Sequence, residues 1–178
     1  DLLKDEINRL AMARSEGQGN LYYTAHLKLN LPVEQIAPLD RGMTLARSYY
    51  RLDDPSTPVT EANQGDLLLV KLTVVVPHTL HYVVVDDPLP AGLEGVDQSL
   101  KTSEQWVDPS QYTYTDLLYS GWGWWNFDHI QLRDERVVLS ATYLPPGTYT
   151  YSYLVRASTP GIFRVIPPTG QEFYFPEV

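Results

Sequence analysis

RVVLSATYLPPGTYTYSYLVRA, residues 136–157, alternates its side chains over two runs separated by two prolines and a glycine. In the first run Val137, Leu139, Ala141 and Tyr143 share one face, and in the second Tyr149, Tyr151, Tyr153, Val155 and Ala157 do. A period of two is the signature of a half-buried β-strand. Pro145-Pro146-Gly147 is expected to form a type II turn, with proline fixing φ and glycine free to take φ > 0, so that the two runs pair as a hairpin. A second turn at Thr159-Pro160-Gly161 is expected to lead into a further strand over Ile162–Ile166. Strands at a spacing of roughly ten residues with Pro/Gly turns predict an all-β fold, an antiparallel sandwich of the immunoglobulin type.

Upstream the pattern continues. In DLLLVKLTVVV (66–76), Leu68, Val70, Leu72, Val74 and Val76 share one parity, while Leu67, Leu69 and Val75 on the other are apolar too. A strand apolar on both faces is expected at the centre of a sheet. LHYVVV (80–85) reads as the next strand, closed by DDPLPAG (86–92) as a loop, because prolines this dense are excluded from a central strand. Asp86-Asp87 and Asp53-Asp54 read as solvated loop acids. They lack the spacing of a calcium loop, and adjacent carboxylates on a strand point to opposite sides.

The N-terminal region divides from the rest. Leu3–Arg14 can be read as an amphipathic helix, but Ser15–Asn20 is a glycine-rich turn and Leu21–Leu31 alternates. The more consistent reading is a β-hairpin of 7–14 with 21–29, and Ile36–Asp40 reads as a linker. Residues 1–35 are thus expected as an N-terminal hairpin, either completing a preceding domain or joined to this one, and 36–178 as the sandwich. Asp1-Leu2-Leu3-Lys4-Asp5 offers no initiator methionine, so the expectation is a piece of a longer product with any export signal upstream.

Composition removes several classes of function. With 13 Lys and Arg against 22 Asp and Glu, a net charge of −9 and no basic run, neither nucleic acid nor an anionic membrane surface is an expected partner. No apolar stretch is long enough to span a bilayer, so direct membrane insertion is not expected. The chain has no cysteine, which excludes disulfides, thiolate metal sites and a cysteine nucleophile. His26, His78, His81 and His129 show no metal-ligand spacing. Asp128-His129 has no nucleophile elbow to serve, and Gly17-Gln18-Gly19 is not a phosphate loop. No catalytic site, metal or cofactor is expected.

GWGWWNFDH (121–129) holds three of the four tryptophans. Burying one removes roughly 150–250 Å² from water, worth about 4–6 kcal/mol as an upper bound. Three readings compete. In the first, Trp125 and Phe127 face the core while Trp122 and Trp124 pack over a sheet edge. In the second, Trp122, Trp124 and Trp125 contact a partner domain. In the third, the same residues form a glycan platform, with Asp116 and Asp128 nearby.

The segment from Phe127 to Val178 resembles the last macroglobulin domain of bacterial α2-macroglobulins. The residues that carry the resemblance are Asp128-His129, Arg133-Asp134-Glu135-Arg136, Leu144–Tyr149 (LPPGTY), Arg156–Gly161 (RASTPG) and Tyr174–Val178 (YFPEV). Tyr82–Gly92 (YVVVDDPLPAG) and Gly17–Tyr23 (GQGNLYY) add to it, although Val-x-Asp-x-Leu-Pro-Ala-Gly also occurs in bacterial cell-surface modules. The resemblance implies a macroglobulin-type sandwich in a large exported protein, periplasmic or extracellular and in some members lipid-anchored, that traps proteases after they cut a bait region. In members with a Cys–Gln thioester, the terminal domain packs on the thioester domain and shields the bond from water. This segment, lacking cysteine, does not carry that bond. By the same resemblance Phe173 and Tyr174 are the candidate shielding residues, with Phe173 standing where the family commonly has Met. The implied partners are the thioester domain and other domains of the parent chain, and target proteases through the parent. The alternative is a cell-surface module that binds glycan through its tryptophans.

Overall fold

The computed structural model describes residues 9–26, 32, 37, 39–96 and 124–176. Two units are distinguished, Asp1–Leu31 and Pro32–Val178. In the first, residues 9–26 are exposed and carry no strand. The Arg14 guanidinium closes the glycine-rich bend by donating to the carbonyls of Gly17 and Gly19. The expected ladder between 7–14 and 21–29 is therefore absent over the residues described, and positions 7, 8 and 27–29 lie outside them. An isolated two-stranded hairpin has too little apolar surface to bury and is marginal in water.

The second unit is built from β1 (Thr44–Arg51), β2 (Leu67–Val76), β3 (Leu80–Pro88), β4 (Leu93–Gly95), β5 (His129–Leu132), β6 (Arg136–Leu144), β7 (Gly147–Ala157) and β8 (Thr169–Glu172). A single 3₁₀ turn at Trp124–Asn126 precedes β5, and no α-helix occurs among the described residues. All pairings are antiparallel. One sheet has the order β1-β2-β7-β4 and the other β5-β6-β3-β8, which makes the expected two-layer sandwich. As its pattern predicts, β2 is central, lying between β1 and β7. Its even positions Leu68 to Val76 are all buried in the core, while Leu69 on the other face is buried opposite Leu154. Val83 and Val85 of β3, Val137 and Leu139 of β6, and Tyr149, Tyr153 and Val155 of β7 complete the interior. Each fully buried aliphatic contributes about 1.5–3 kcal/mol.

The strands on either side of the Pro-Pro-Gly turn do not form a hairpin. β6 pairs with β3 and β5, whereas β7 pairs with β2 and β4, so residues 145–146 carry the chain from one sheet to the other. Two consecutive prolines offer no N–H to a ladder and favour extended backbone, which suits crossing a gap of about 10 Å between layers. Gly147 is not among the residues with positive φ. The Tyr149 hydroxyl donates to the Pro145 carbonyl at 2.5 Å and fixes the crossover.

The acidic stretch after LHYVVV also differs from expectation. β3 runs on through Asp86 and Asp87 to Pro88, opposite Arg136. Pro88 is tolerated because β8 pairs with β3 only as far as Asp86, so beyond it that side of the strand needs no donor. Asp87 is not a solvated loop acid but fully buried. Arg47 of β1, with a side chain only 3% exposed, donates to its Oδ1, and the Tyr153 hydroxyl donates to its Oδ2 at 2.6 Å. The same guanidinium reaches the Pro88 carbonyl at 2.7 Å. The parity pattern could not show this, because Arg47 lies forty positions away in the other sheet. The Val85-x-Asp87-x-Leu89-Pro90-Ala91-Gly92 motif is thereby explained. Val85 and Leu89 fill the core, Asp87 ties the two sheets, and at Gly92 an added Cβ would run into the Phe163 ring.

Residues 162–168 form no strand. Ile162, Val165 and Ile166 are exposed and Phe163 alone turns inward onto Gly92, while Pro160, Pro167 and Pro168 deny the segment ladder donors. The last strand of the sandwich is instead β8, four residues on the far side of β3.

Candidate interdomain surface

One end of the β5-β6-β3-β8 sheet is aromatic and open. β3 begins there with Leu80, His81 and Tyr82, β6 ends there with Thr142, Tyr143 and Leu144, and β8 delivers Phe173, Tyr174 and Phe175 just past its last residue. Phe173, Tyr174 and Phe175 are each 64% exposed, and Tyr82 and Tyr143 are exposed as well. The Tyr82 and Tyr174 rings meet edge to face at 5.1 Å, as do Phe173 and Tyr174 at 5.3 Å. His81 and Tyr143, directly opposite each other on β3 and β6, lie 5.4 Å apart between ring centroids. Contiguous exposed aromatic surface of this kind marks contact sites on soluble proteins.

The local backbone explains why the aromatics point outward. Tyr82 has φ of 52°, in the left-handed region that non-glycine residues seldom occupy. Its neighbours' polar groups are satisfied outside the β3–β6 ladder. The Tyr82 carbonyl accepts from the Phe173 N–H at 2.8 Å, Glu172 Oε1 accepts from the His81 N–H, and Asp128 Oδ2 accepts from the Thr142 N–H. The C-terminal segment is thus tied to the irregular start of β3. The face rule changes at the same level on both strands. Val83, Val85, Val137, Leu139 and Ala141 point inward, but so do Leu80 and Leu144, which turns Tyr143 out of the core position that alternation predicts.

The tryptophans are only partly placed. Trp122 lies outside the described residues. Trp124 opens the 3₁₀ turn. Trp125, expected in the core by parity with Phe127, is 57% exposed, because a 3₁₀ turn does not alternate its side chains as a strand does. Phe127 is buried edge-on against Tyr149, with centroids 6.1 Å apart. The turn packs against β6 and β7, and Asp128, three residues beyond Trp125, is bonded to Thr142 next to Tyr143. Trp125 therefore belongs to the same end of the sandwich as Phe173 and Tyr174. Alternation alone does not single out Tyr82 or Tyr143 as exposed. The available signal is the parity clash between Leu80 and Val83, mirrored by that between Ala141 and Leu144.

Asp128 supplies an electrostatic anchor here, and a test of it. The Thr142 backbone N–H, and then its hydroxyl, hold the Asp128 carboxyl below its ordinary value. A lowered folded-state value means that the bond supports the fold above the unfolded pKa and is lost as pH falls through the folded one. The Thr142 amide resonance is expected to titrate with a midpoint below 3.8 and to stop doing so in Asp128→Asn. A midpoint at or above that value would contradict the assignment. Among the described residues, no group of three or more His, Cys, Asp or Glu is placed to hold a metal ion.

Comparison with known proteins agrees with this architecture. The model of the bacterial alpha-2-macroglobulin MG10 domain matches residues 42–177. An alpha-2-macroglobulin homolog of Nostoc sp. is 33% identical over 64% of this chain and 5% of its own length. The alpha-2-macroglobulin of Escherichia coli is 30% identical over 79% of this chain and 8% of its own. The solved structure of Escherichia coli alpha-2-macroglobulin activated by porcine elastase superposes with a TM-score of 0.64 at 31% identity, covering 80% of this chain and 13% of that one. The chain thus spans less than a tenth of the length of these two relatives. In sequence and in fold, this chain belongs to the bacterial alpha-2-macroglobulin MG10 domain family.

Proposed function

We propose that this chain is a non-catalytic domain of an exported, periplasmic or extracellular, protease-trapping protein, and that its aromatic end packs on the thioester domain of the same polypeptide. The observation that carries the reading is the row of exposed aromatics Tyr82, Tyr143, Phe173, Tyr174 and Phe175 at one end of the sheet, in which Tyr82, Tyr174 and Phe173 meet edge to face and Tyr143 lies against His81. An internal thioester is an activated acyl group, and excluding water from it is a physical task suited to such a surface. Phe173 and Tyr174 are its proposed cover, and Trp122, Trp124 and Trp125 extend the contact. In the same reading residues 1–35 belong to the preceding domain, supported by the division of the chain at Leu31 and Pro32.

The test uses the full-length protein, after its gene has been read for a Cys-x-x-Gln motif. Phe173→Ala combined with Tyr174→Ala is expected to speed the loss of methylamine-reactive thioester by about tenfold, equivalent to about 1.4 kcal/mol of protection. An unchanged decay rate removes the shielding role. A quench or shift of tryptophan fluorescence by soluble oligosaccharides would favour the glycan-binding alternative instead.

A further inference from the structure

We propose that Arg47 is a latch that sets the register of β8, and through it the position of the C-terminal aromatic residues at the open end of the sandwich. The guanidinium is almost fully buried and holds two parts of the chain at once. One nitrogen donates to Asp87 and to the Pro88 carbonyl on β3, and the other donates to the Ile166 carbonyl at 2.7 Å. Ile166 lies in the segment that returns from β7 to β8, where no strand forms between Thr159 and Thr169. Burial holds that segment only weakly, since Ile162, Val165 and Ile166 are all exposed. Side-chain anchors hold it instead: the Phe163 ring on Gly92, and Arg47 on Ile166.

The two prolines after Ile166 make this anchor specific. Pro167-Pro168 is a short extended strut whose φ angles are fixed. Holding Ile166 therefore aims Thr169 at its partner Asp86. Gly170 is the second register pin, because any Cβ there would lie 2.5 Å from Met43 Sδ. β8 has only four residues, so its own ladder resists a slip weakly. A slip of one residue would turn over the side chains of β8 and move the bend that follows it by one position along β3, so that Phe173 would lose its bond to the Tyr82 carbonyl and Tyr174 its place against the Tyr82 ring. The consequence for a thioester rests on the function proposed above, whereas the latch itself does not.

The experiment is hydrogen exchange on the full-length protein carrying Arg47→Lys. Lysine keeps a charge for buried Asp87 but lacks the fork that reaches Asp87 and Ile166 together. The amides of Gln171 and Phe173, which face β3 in the alternating ladder, are expected to exchange at least tenfold faster, with β2 and β7 unchanged. Arg47→Met with Asp87→Asn, which leaves no buried charge, is expected to give the same local result should the lysine variant fold poorly. Unchanged exchange at Gln171 and Phe173 overturns the latch, and so does equal acceleration throughout the sandwich, which would make Arg47 a general structural residue. Arg47→Lys is also expected to shorten thioester lifetime. If Phe173→Ala/Tyr174→Ala leaves that lifetime untouched, the shielding reading fails while the exchange result still decides the latch.

Discussion

Asp87→Ala is expected to destabilise the sandwich by about 3–5 kcal/mol in urea unfolding, because it strands the Arg47 guanidinium in the core without its counter-ion. Both side chains are buried, so water cannot compensate the loss. The same change frees the Tyr153 hydroxyl, whose partner is Asp87 Oδ2. Removing both charges is a different matter. Arg47→Met with Asp87→Leu is expected to be near neutral or stabilising, since desolvating two ions offsets most of their attraction. The direction of the Asp87 shift agrees. Burial raises its pKa and the Arg47 charge only partly opposes this. A carboxyl whose folded value lies above its unfolded value binds its proton more tightly when folded, so its ionisation disfavours the fold as pH rises between the two. Asp66 behaves oppositely. The Asn63 N–H holds it low, with Arg51 adding to the effect, and its support is lost as pH falls through the folded value. The pair at Asp87 thus specifies how the sheets join more than it stabilises them. A double variant as unstable as Asp87→Ala would overturn that view.

Patterns carried by one strand are legible in the sequence. β2 is recognisable as central from apolar residues on both parities, and β7 is recognisable as a strand from its alternating tyrosines. Features that depend on two distant segments are not. Strict alternation on either side of Pro145-Pro146 cannot distinguish a hairpin from a crossover between layers, because both need two amphipathic strands and a break. Asp87 reads as a loop acid since its partner lies on β1, and Ile162–Ile166 reads as a strand because its composition suits one. The exposed aromatics are half visible. Family resemblance points to Phe173 and Tyr174, while Tyr82 depends on a positive φ that nothing in LHYVVV announces. Parity turns Trp125 inward, but a 3₁₀ turn does not obey that parity.

The sharpest disagreement between alternation and structure lies at the end of β6, and it can be measured. Leu144→Ala is expected to cost about 2–5 kcal/mol, whereas Tyr143→Ala is expected to change stability by no more than about 0.5 kcal/mol. Alternation from Val137 places Tyr143 in the core and Leu144 outside. In the structure Leu144 is fully buried opposite Leu80 of β3, which is 1% exposed, while Tyr143 is 55% exposed beside His81. The switch occurs between Ala141 and Leu144 on one strand and between Leu80 and Val83 on the other, so the pairing stays in step while both strands change faces. Tyr82, with its positive φ, sits at that level, and the Thr142 N–H opposite is taken by Asp128. A backbone that turns two facing strands together can expose an aromatic row without opening the core, since a leucine from each strand fills the space beneath. If Tyr143→Ala proved the more damaging change, the face switch would be wrong, and the aromatic end would shrink to the C-terminal residues with Tyr82.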